Sequence, residues 1–255
     1  MVSDFAKSMG FVEGSVVPQR VKECRMPEWY PSLAPYSFPT AFVKLRQDEK
    51  DALLKSDDSS PLALGAIARL DNAMGSIVGN RFVGVDLAAP TDTERFALKR
   101  GAVYSALSAW RILASSAKVR ASLSSGCSDS IVVRPFRRMD ITREFRLFIK
   151  GGMLKGMSQY WLVRHFRRLE GRRDFYWQLA KDFVSSVSWC LPAKDIAMDI
   201  YFTSTMKILV IDLNPWGRPT DPLMLRDWDL DWGVEKGLCL VPPPTKISGD
   251  VNVSF

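Results

Sequence analysis

Histidine is nearly absent from this chain of 255 residues, with His165 the sole example. Without a second histidine, neither a histidine metal site nor a catalytic triad is signalled. Cysteine is sparse as well: Cys24, Cys127, Cys190 and Cys239 are scattered with no Cys-x-x-Cys pair. That excludes the usual zinc patterns and a disulfide framework and predicts reduced, mostly buried thiols. No apolar run approaches the roughly 18 residues of a membrane span, and Met1 to Gly10 lacks the basic and apolar regions of a signal peptide. A cytoplasmic location with no membrane partner is expected. Internal repeats and heptads are missing, and Pro242-Pro-Pro is the one low-complexity run.

What remains is an ordinary globular composition, 47% hydrophobic and 25% charged, long enough for one large core or two modest lobes. Lysine and arginine number 35 against 28 acidic residues, giving +7 and a pI near 9.3. Such a balance favours an anionic partner: a nucleotide, a nucleic acid or an acidic protein surface.

Prolines 27, 31, 35 and 39 forbid a long helix near the start of the chain and favour extended segments, with Trp29 and Tyr30 packing a lobe edge. Arg46 to Ser56 and Pro61 to Met74 read as helices, Phe82 to Leu87 as a strand, and Pro90-Thr-Asp-Thr-Glu as a turn and helix start. Tyr104, Leu107, Trp110, Ile112 and Leu113 recur near helical spacing, followed by a Ser-rich second segment ending near Leu123. Ser122 to Ser130, with Gly126, is a loop and the candidate boundary between an N-terminal lobe over 1–125 and a C-terminal lobe over 126–232. Residues 233–255 read as a peripheral tail.

From Ile131 the pattern turns to strands: Ile131 to Arg134, then Phe145 to Ile149 and Met153 to Trp161 joined by the hairpin signal Gly151-Gly152. Phe175 to Val187 reads as a helix with Phe175, Leu179, Phe183 and Val187 at spacing four. A second hairpin, Ala197 to Thr203 and Ile208 to Asp212, follows.

This second hairpin carries the chemistry. If it closes across Ser204 to Lys207, Thr203 opposes Ile208, and Asp199 opposes Asp212. Two carboxylates opposed on one sheet face repel, by about 0.2–1 kcal/mol, and a cation would resolve the conflict. Asn214 shares the face if the strand continues. Two carboxylates and an amide carbonyl are hard oxygen ligands that suit Mg²⁺, which keeps waters and shares its shell with nucleotide phosphates. In the competing reading Asp199 caps a turn and Asp212-Leu-Asn-Pro simply ends a strand. Arg134, Arg146, Lys150 and Lys155 on neighbouring strands offer cations for an anion, although Glu144, on the face of Arg146, could equally pair with it. Arg164, Arg167, Arg168, Arg172 and Arg173, interleaved with His165 and Phe166, form a surface for an acidic partner or single-stranded nucleic acid, or only a solvated face.

These residues resemble the cell division cycle protein 123 family. The matching stretches are Trp29-Tyr-Pro-Ser, Ala89-Pro, Val132-Val-Arg134, Glu144-Phe-Arg-Leu-Phe-Ile-Lys150, Gly156-Met-Ser-Gln159, Asp199-Ile-Tyr, and Ile211-Asp-Leu-Asn-Pro-Trp-Gly217 followed by Thr220-Asp221. The resemblance implies an α+β, ATP-grasp-like fold: two lobes of antiparallel sheets flanked by helices, with the nucleotide in the cleft between them. It also implies that Asp199, Asp212 and Asn214 hold Mg²⁺ while Arg134 and Arg146 approach the phosphates of ATP. An assembly role is implied too, in which eukaryotic members promote formation of translation initiation factor two by contacting its gamma subunit. ATP-grasp proteins of the ligase kind, which activate a carboxylate as an acyl phosphate, supply the alternative. The chain reads as a divergent and short member, lacking an acidic C-terminal extension. Gly84 stands where the family carries a phosphate-contacting lysine, and Tyr160 where an arginine follows the Ser-Gln pair.

Overall fold

Three short strands from the first 135 residues turn alternate apolar side chains inward: β1 (Ala41–Lys44), β2 (Arg81–Val85) and β3 (Ser130–Pro135). They pair antiparallel with β3 in the centre, Val83 and Ala41 both opposing Val133. One face of this sheet buries Val43, Val83, Val85, Ile131 and Val133 against helices. The computed structural model describes residues 17–247 and 251–253; the expectation concerning Met1 to Gly10 lies outside them.

The helices of this unit are α1 (Gln19–Lys22), α2 (Met26–Leu33), α3 (Gln47–Leu54), α4 (Pro61–Gly75), α5 (Glu94–Lys99), α6 (Ala106–Ser115) and α7 (Ala117–Ser124). Starts follow the sequence signals. Ser60, Thr93, Ser105 and Ser116 each cap a helix by accepting from a backbone N–H three residues on, and Pro61 occupies the first turn of α4. Leu53, Leu70, Met74, Trp110, Leu113 and Val119 fill the core from α3, α4, α6 and α7. Each such side chain contributes about 1.5–3 kcal/mol on burial. The proline-rich segment is a correction: 26–33 is helical rather than extended, with Pro27 in its first turn, where the missing N–H costs nothing, and Trp29 buried.

A five-stranded sheet dominates the second unit. Its strands are β4 (Glu144–Lys150), β5 (Met153–Gln159), β6 (Ile196–Phe202), β7 (Ile208–Pro215) and β8 (Gly237–Cys239), in the order β7-β6-β4-β5-β8. All neighbours are antiparallel except β5 and β8. Phe145 and Phe202, on one face, meet Tyr176 of α9 (Arg173–Val187); a single short helix, α8 (Arg167–Glu170), precedes it. The buried stripe of α9 is Tyr176, Ala180, Val184 and Val187, displaced from the expected Phe175, Leu179 and Phe183. Both stripes step by four, but the buried one lies one residue further along, on the side of the helix that meets Phe145 and Phe202. The opposite sheet face is capped at one end by Leu225, Trp228 and Trp232, which stack over Phe148 and Ala197. Gly156 admits that cap, since a Cβ there would lie 3.1 Å from Leu225 Cδ1.

The chain divides into two units, one running to Ala34 and resuming over Phe38–Arg138, the other made of Pro35–Ser37 and the chain from Met139. The division falls after residue 138, not 125, because β3 is the strand that joins β1 and β2. Residues 237–239 are likewise no peripheral tail: β8 extends the main sheet, and Val251–Val253 pairs with Thr245–Ile247. Among the described residues no helix is long and apolar enough to cross a membrane. All four cysteines are free thiols, with Cys24 and Cys127 buried.

Candidate functional site

A single row of residues crosses the five-stranded sheet. Asp212 on β7 opposes Asp199 on β6, Asp199 opposes Arg146 on β4, and Arg146 opposes Ser158 on β5. Directly opposed residues share a face, so these side chains converge. The Asp199–Asp212 pairing is as expected, but the hairpin reaches it differently. Thr203 donates to Lys207 O, Phe202 opposes Ile208, and the register is one residue short until a bulge at Ile211 restores it. An extra residue in one strand offsets a turn one residue shorter than supposed.

Arg146 resolves the like-charge opposition. Its Nε donates to Asp199 Oδ1 at 2.7 Å and its Nη2 to Oδ2 at 2.8 Å, a two-pronged contact buried on both sides. Asn214 Nδ2 also donates to Asp199 Oδ2, at 3.0 Å. Asp212 Oδ1 accepts from the N–H of Leu213. The pairing of Arg146 with Glu144 does not occur; Glu144 instead accepts from Trp161 Nε1 at 2.8 Å. With one carboxylate compensated by a guanidinium, charge repulsion no longer demands a metal. Capacity to hold one rests on the donor set: Asp199, Asp212 and the carbonyl of Asn214 supply hard oxygens on one face. Among the described residues no group of three or more His, Cys, Asp or Glu side chains is placed to hold a metal ion. An open set of two carboxylates and an amide fits Mg²⁺, which keeps several waters.

Two further groups complete the cluster. The backbone carbonyl of Asp221 accepts from Arg146 Nη1 at 2.8 Å. It is placed there by the fold of 215–221, where Thr220 Oγ1 donates to Pro215 O and Thr220 O accepts from Trp228 Nε1. Tyr160 lies under the Arg146 guanidinium, 5.5 Å from ring centroid to Cζ. The negative charge of Asp199, then burial, raises the Tyr160 hydroxyl above its ordinary range, keeping it a protonated donor. Burial pushes Glu144 up to about 7, Trp161 opposing the shift and the charges of Asp199 and Asp140 adding to it. For Arg146, burial works against the charge, but Asp199 outweighs it and the guanidinium stays protonated. The Asp221 carbonyl has no signal in sequence, since a backbone acceptor carries no residue identity; Tyr160 had one, its place after Gln159.

Arg134, the remaining candidate, stands in the first unit on β3. Its Nε donates to Thr40 Oγ1 at 3.1 Å and its guanidinium lies over Trp29 at 5.7 Å. Gly84, two strand positions from it on the same face, opposes Val132. A Cβ at 84 would sit 3.0 Å from Ala88 O and 3.6 Å from Ala89 Cα, because the turn before Pro90 folds over it. Any side chain at 84 would require that turn to shift. Lys150 lies over Trp216 and Lys155 reaches Gly233 O, so neither belongs to the carboxylate cluster as it stands.

The D123 family model matches residues 103–236, more than half of the chain, and takes in β3, β4 to β7 and the whole carboxylate row. The chain belongs to the D123 family. A Xenopus laevis protein named translation initiation factor eIF2 assembly protein is 23% identical over 274 residues, covering 88% of this chain and 80% of its own. A Vanderwaltozyma polyspora protein of the same name is 34% identical over 96 residues, 37% of this chain and 26% of that one. The solved structure of Cdc123 from Schizosaccharomyces pombe aligns at a TM-score of 0.75 and 19% identity, over 89% of this chain and 98% of that one. The α+β fold of antiparallel sheets flanked by helices expected of such a member is the one this chain has, and it is the fold of that Cdc123 structure.

Proposed function

We propose that this D123-family chain is an ATP- and Mg²⁺-binding assembly factor that acts, in the cytoplasm, on translation initiation factor two. The observation that carries the nucleotide reading is the row of Asp212, Asp199 and Arg146, with Asn214 beside it, on one face of the second sheet. Asp199, Asp212 and Asn214 would hold Mg²⁺, and Arg146 would take phosphate oxygens. Arg146 Nη1 is engaged by a neutral carbonyl, which an anionic phosphate oxygen outcompetes as an acceptor. Bound Mg²⁺ would supply the positive charge that phosphates require. The assembly reading is supported by the name that the Xenopus and yeast relatives carry, and the basic balance of the chain suits an acidic protein partner.

The test is thermal unfolding with and without ATP and Mg²⁺. At a ligand concentration of 100 times Kd the gain is about 2.7 kcal/mol, and Asp212→Ala should remove it. An unchanged response in that variant sinks the metal assignment. Capture of initiation factor two subunits by the tagged protein tests the assembly role, and ADP release that depends on an added carboxylate and amine would replace it with the ligase reading.

A further inference from the structure

The arginine-rich segment singled out in the sequence plays no part in the carboxylate row, yet it is a constructed surface. Residues 160–166 leave β5 as a loop pinned at both ends. Gln159, 1% exposed, donates from Nε2 to Trp161 O at 2.6 Å and to Arg164 O at 3.0 Å, while its Oε1 accepts from Val241 N. Trp161 Nε1 is tied to Glu144, and His165 Nδ1 lies 3.0 Å from Val241 O. Phe166 and Leu169 are buried beneath. A backbone fixed in this way nevertheless directs Leu162 and Val163 outward, Val163 at 65% exposure. Around them Arg164, Arg167, Arg172 and Arg173 are exposed and form no ion pair among the described residues; only Arg168 is paired, with Asp140. Five arginines face just two carboxylates in 160–175, and one of these, Glu170, lies 3.7 Å from His165 Nε2.

We infer that the 160–173 surface is a docking site for an acidic protein segment that carries an aliphatic anchor. The guanidinium groups call for carboxylates, and the adjoining Leu162 and Val163 call for an apolar side chain set among them. Pinning the loop beforehand removes the ordering cost that a mobile loop would incur on binding. Single-stranded nucleic acid fits less well, because its bases need open aromatic faces. Phe166 is buried, and Arg164 and Arg172 lie over the rings of Phe166 and Phe175 at 5.4 and 5.6 Å. Trp161, though 39% exposed, is held through Nε1 by Glu144 and edge-on against Tyr160, and the most exposed apolar side chain of this surface is the aliphatic Val163. The inference deepens the assembly reading and rests on it for the occupant being a protein.

The experiment measures fluorescence anisotropy of a labelled peptide of alternating Glu and Leu on the full chain without nucleotide. A Gln-and-Leu peptide, an oligothymidine strand and phosphatidylserine vesicles serve as comparison probes. Saturable binding of the acidic peptide is expected, weakened at least about tenfold by Arg164→Glu with Arg167→Glu, and by salt raised from about 0.05 to 0.3 M. Leu162→Ser with Val163→Ser should weaken it several-fold at unchanged melting temperature. No saturable binding, equal binding by the variants, or tighter binding of the strand or the vesicles overturns the proposal. If initiation factor two is captured equally by parent and charge-reversed protein, the loop is excluded while the assembly role stands. Peptide binding without capture of the factor has the opposite meaning.

Discussion

Replacing Arg146 by methionine isolates the energetics of the row. The variant keeps the length of the side chain but removes both donors to Asp199, which is 5% exposed, and the donor to Asp221 O. Asp199 would retain the amide of Asn214 but lose the guanidinium that balances its charge opposite Asp212. Removing one partner of a buried ion pair costs about 3–5 kcal/mol, whereas removing both charges is often close to neutral. Arg146→Met should therefore lower the urea unfolding free energy by about 3–5 kcal/mol. Arg146→Met combined with Asp199→Asn should recover most of that, with a coupling of at least about 2 kcal/mol in the double-mutant cycle. The assay is equilibrium unfolding followed by tryptophan emission, comparing midpoints at constant slope. A loss below about 1 kcal/mol, or strict additivity of the two substitutions, would refute the view that Arg146 is what makes the opposed carboxylates tolerable.

Other perturbations test the surroundings. Glu144 has its carboxyl raised from 4.5 to about 7 by burial, so its contribution to stability is fully present below 4.5 and is lost as the pH rises through 7. Glu144→Gln, which still offers Trp161 an acceptor, should flatten the stability difference between about pH 5 and pH 8; an unaltered pH profile would exclude Glu144 as its source. At Gly84 an alanine should cost about 1–3 kcal/mol by crowding Ala88 O, read as a lower urea midpoint, and a lysine should cost no less. Gln159→Leu strips the donors from the 160–166 loop and should cost about 1–3 kcal/mol while speeding tryptic cleavage after Arg164 and Arg167. Resistance equal to the parent would mean that the loop is held by other contacts.

Much of the fold was written in local pattern. Capping serines and threonines, the proline opening α4, the Gly151-Gly152 turn and the apolar runs of β3 to β7 fix where elements begin. The pairing of Asp199 with Asp212 was also legible, but only because a turn misjudged by one residue and an unforeseen bulge cancel. The α9 stripe and the helix over 26–33 were misread for a common reason: burial answers to the surface a helix meets, and neither proline count nor spacing reports that surface.

The sequence by itself determined the chemistry available: hard oxygen donors on two adjacent strands, arginines beside them, and no second histidine or paired cysteine to suggest any other metal site. Tertiary structure decided how those groups are used. Strand order put β4 next to β6, so Arg146 meets Asp199 and not Glu144, its neighbour along the strand. The return of 215–221 delivered a backbone carbonyl, and the turn at Ala88 and Ala89 came to lie close against Gly84. The first two depend on segments far apart in sequence coming within a few ångströms, and the third on a bend only four residues further on. Local periodicity is blind to such encounters, because it reports the face on which a side chain lies and not what meets it there.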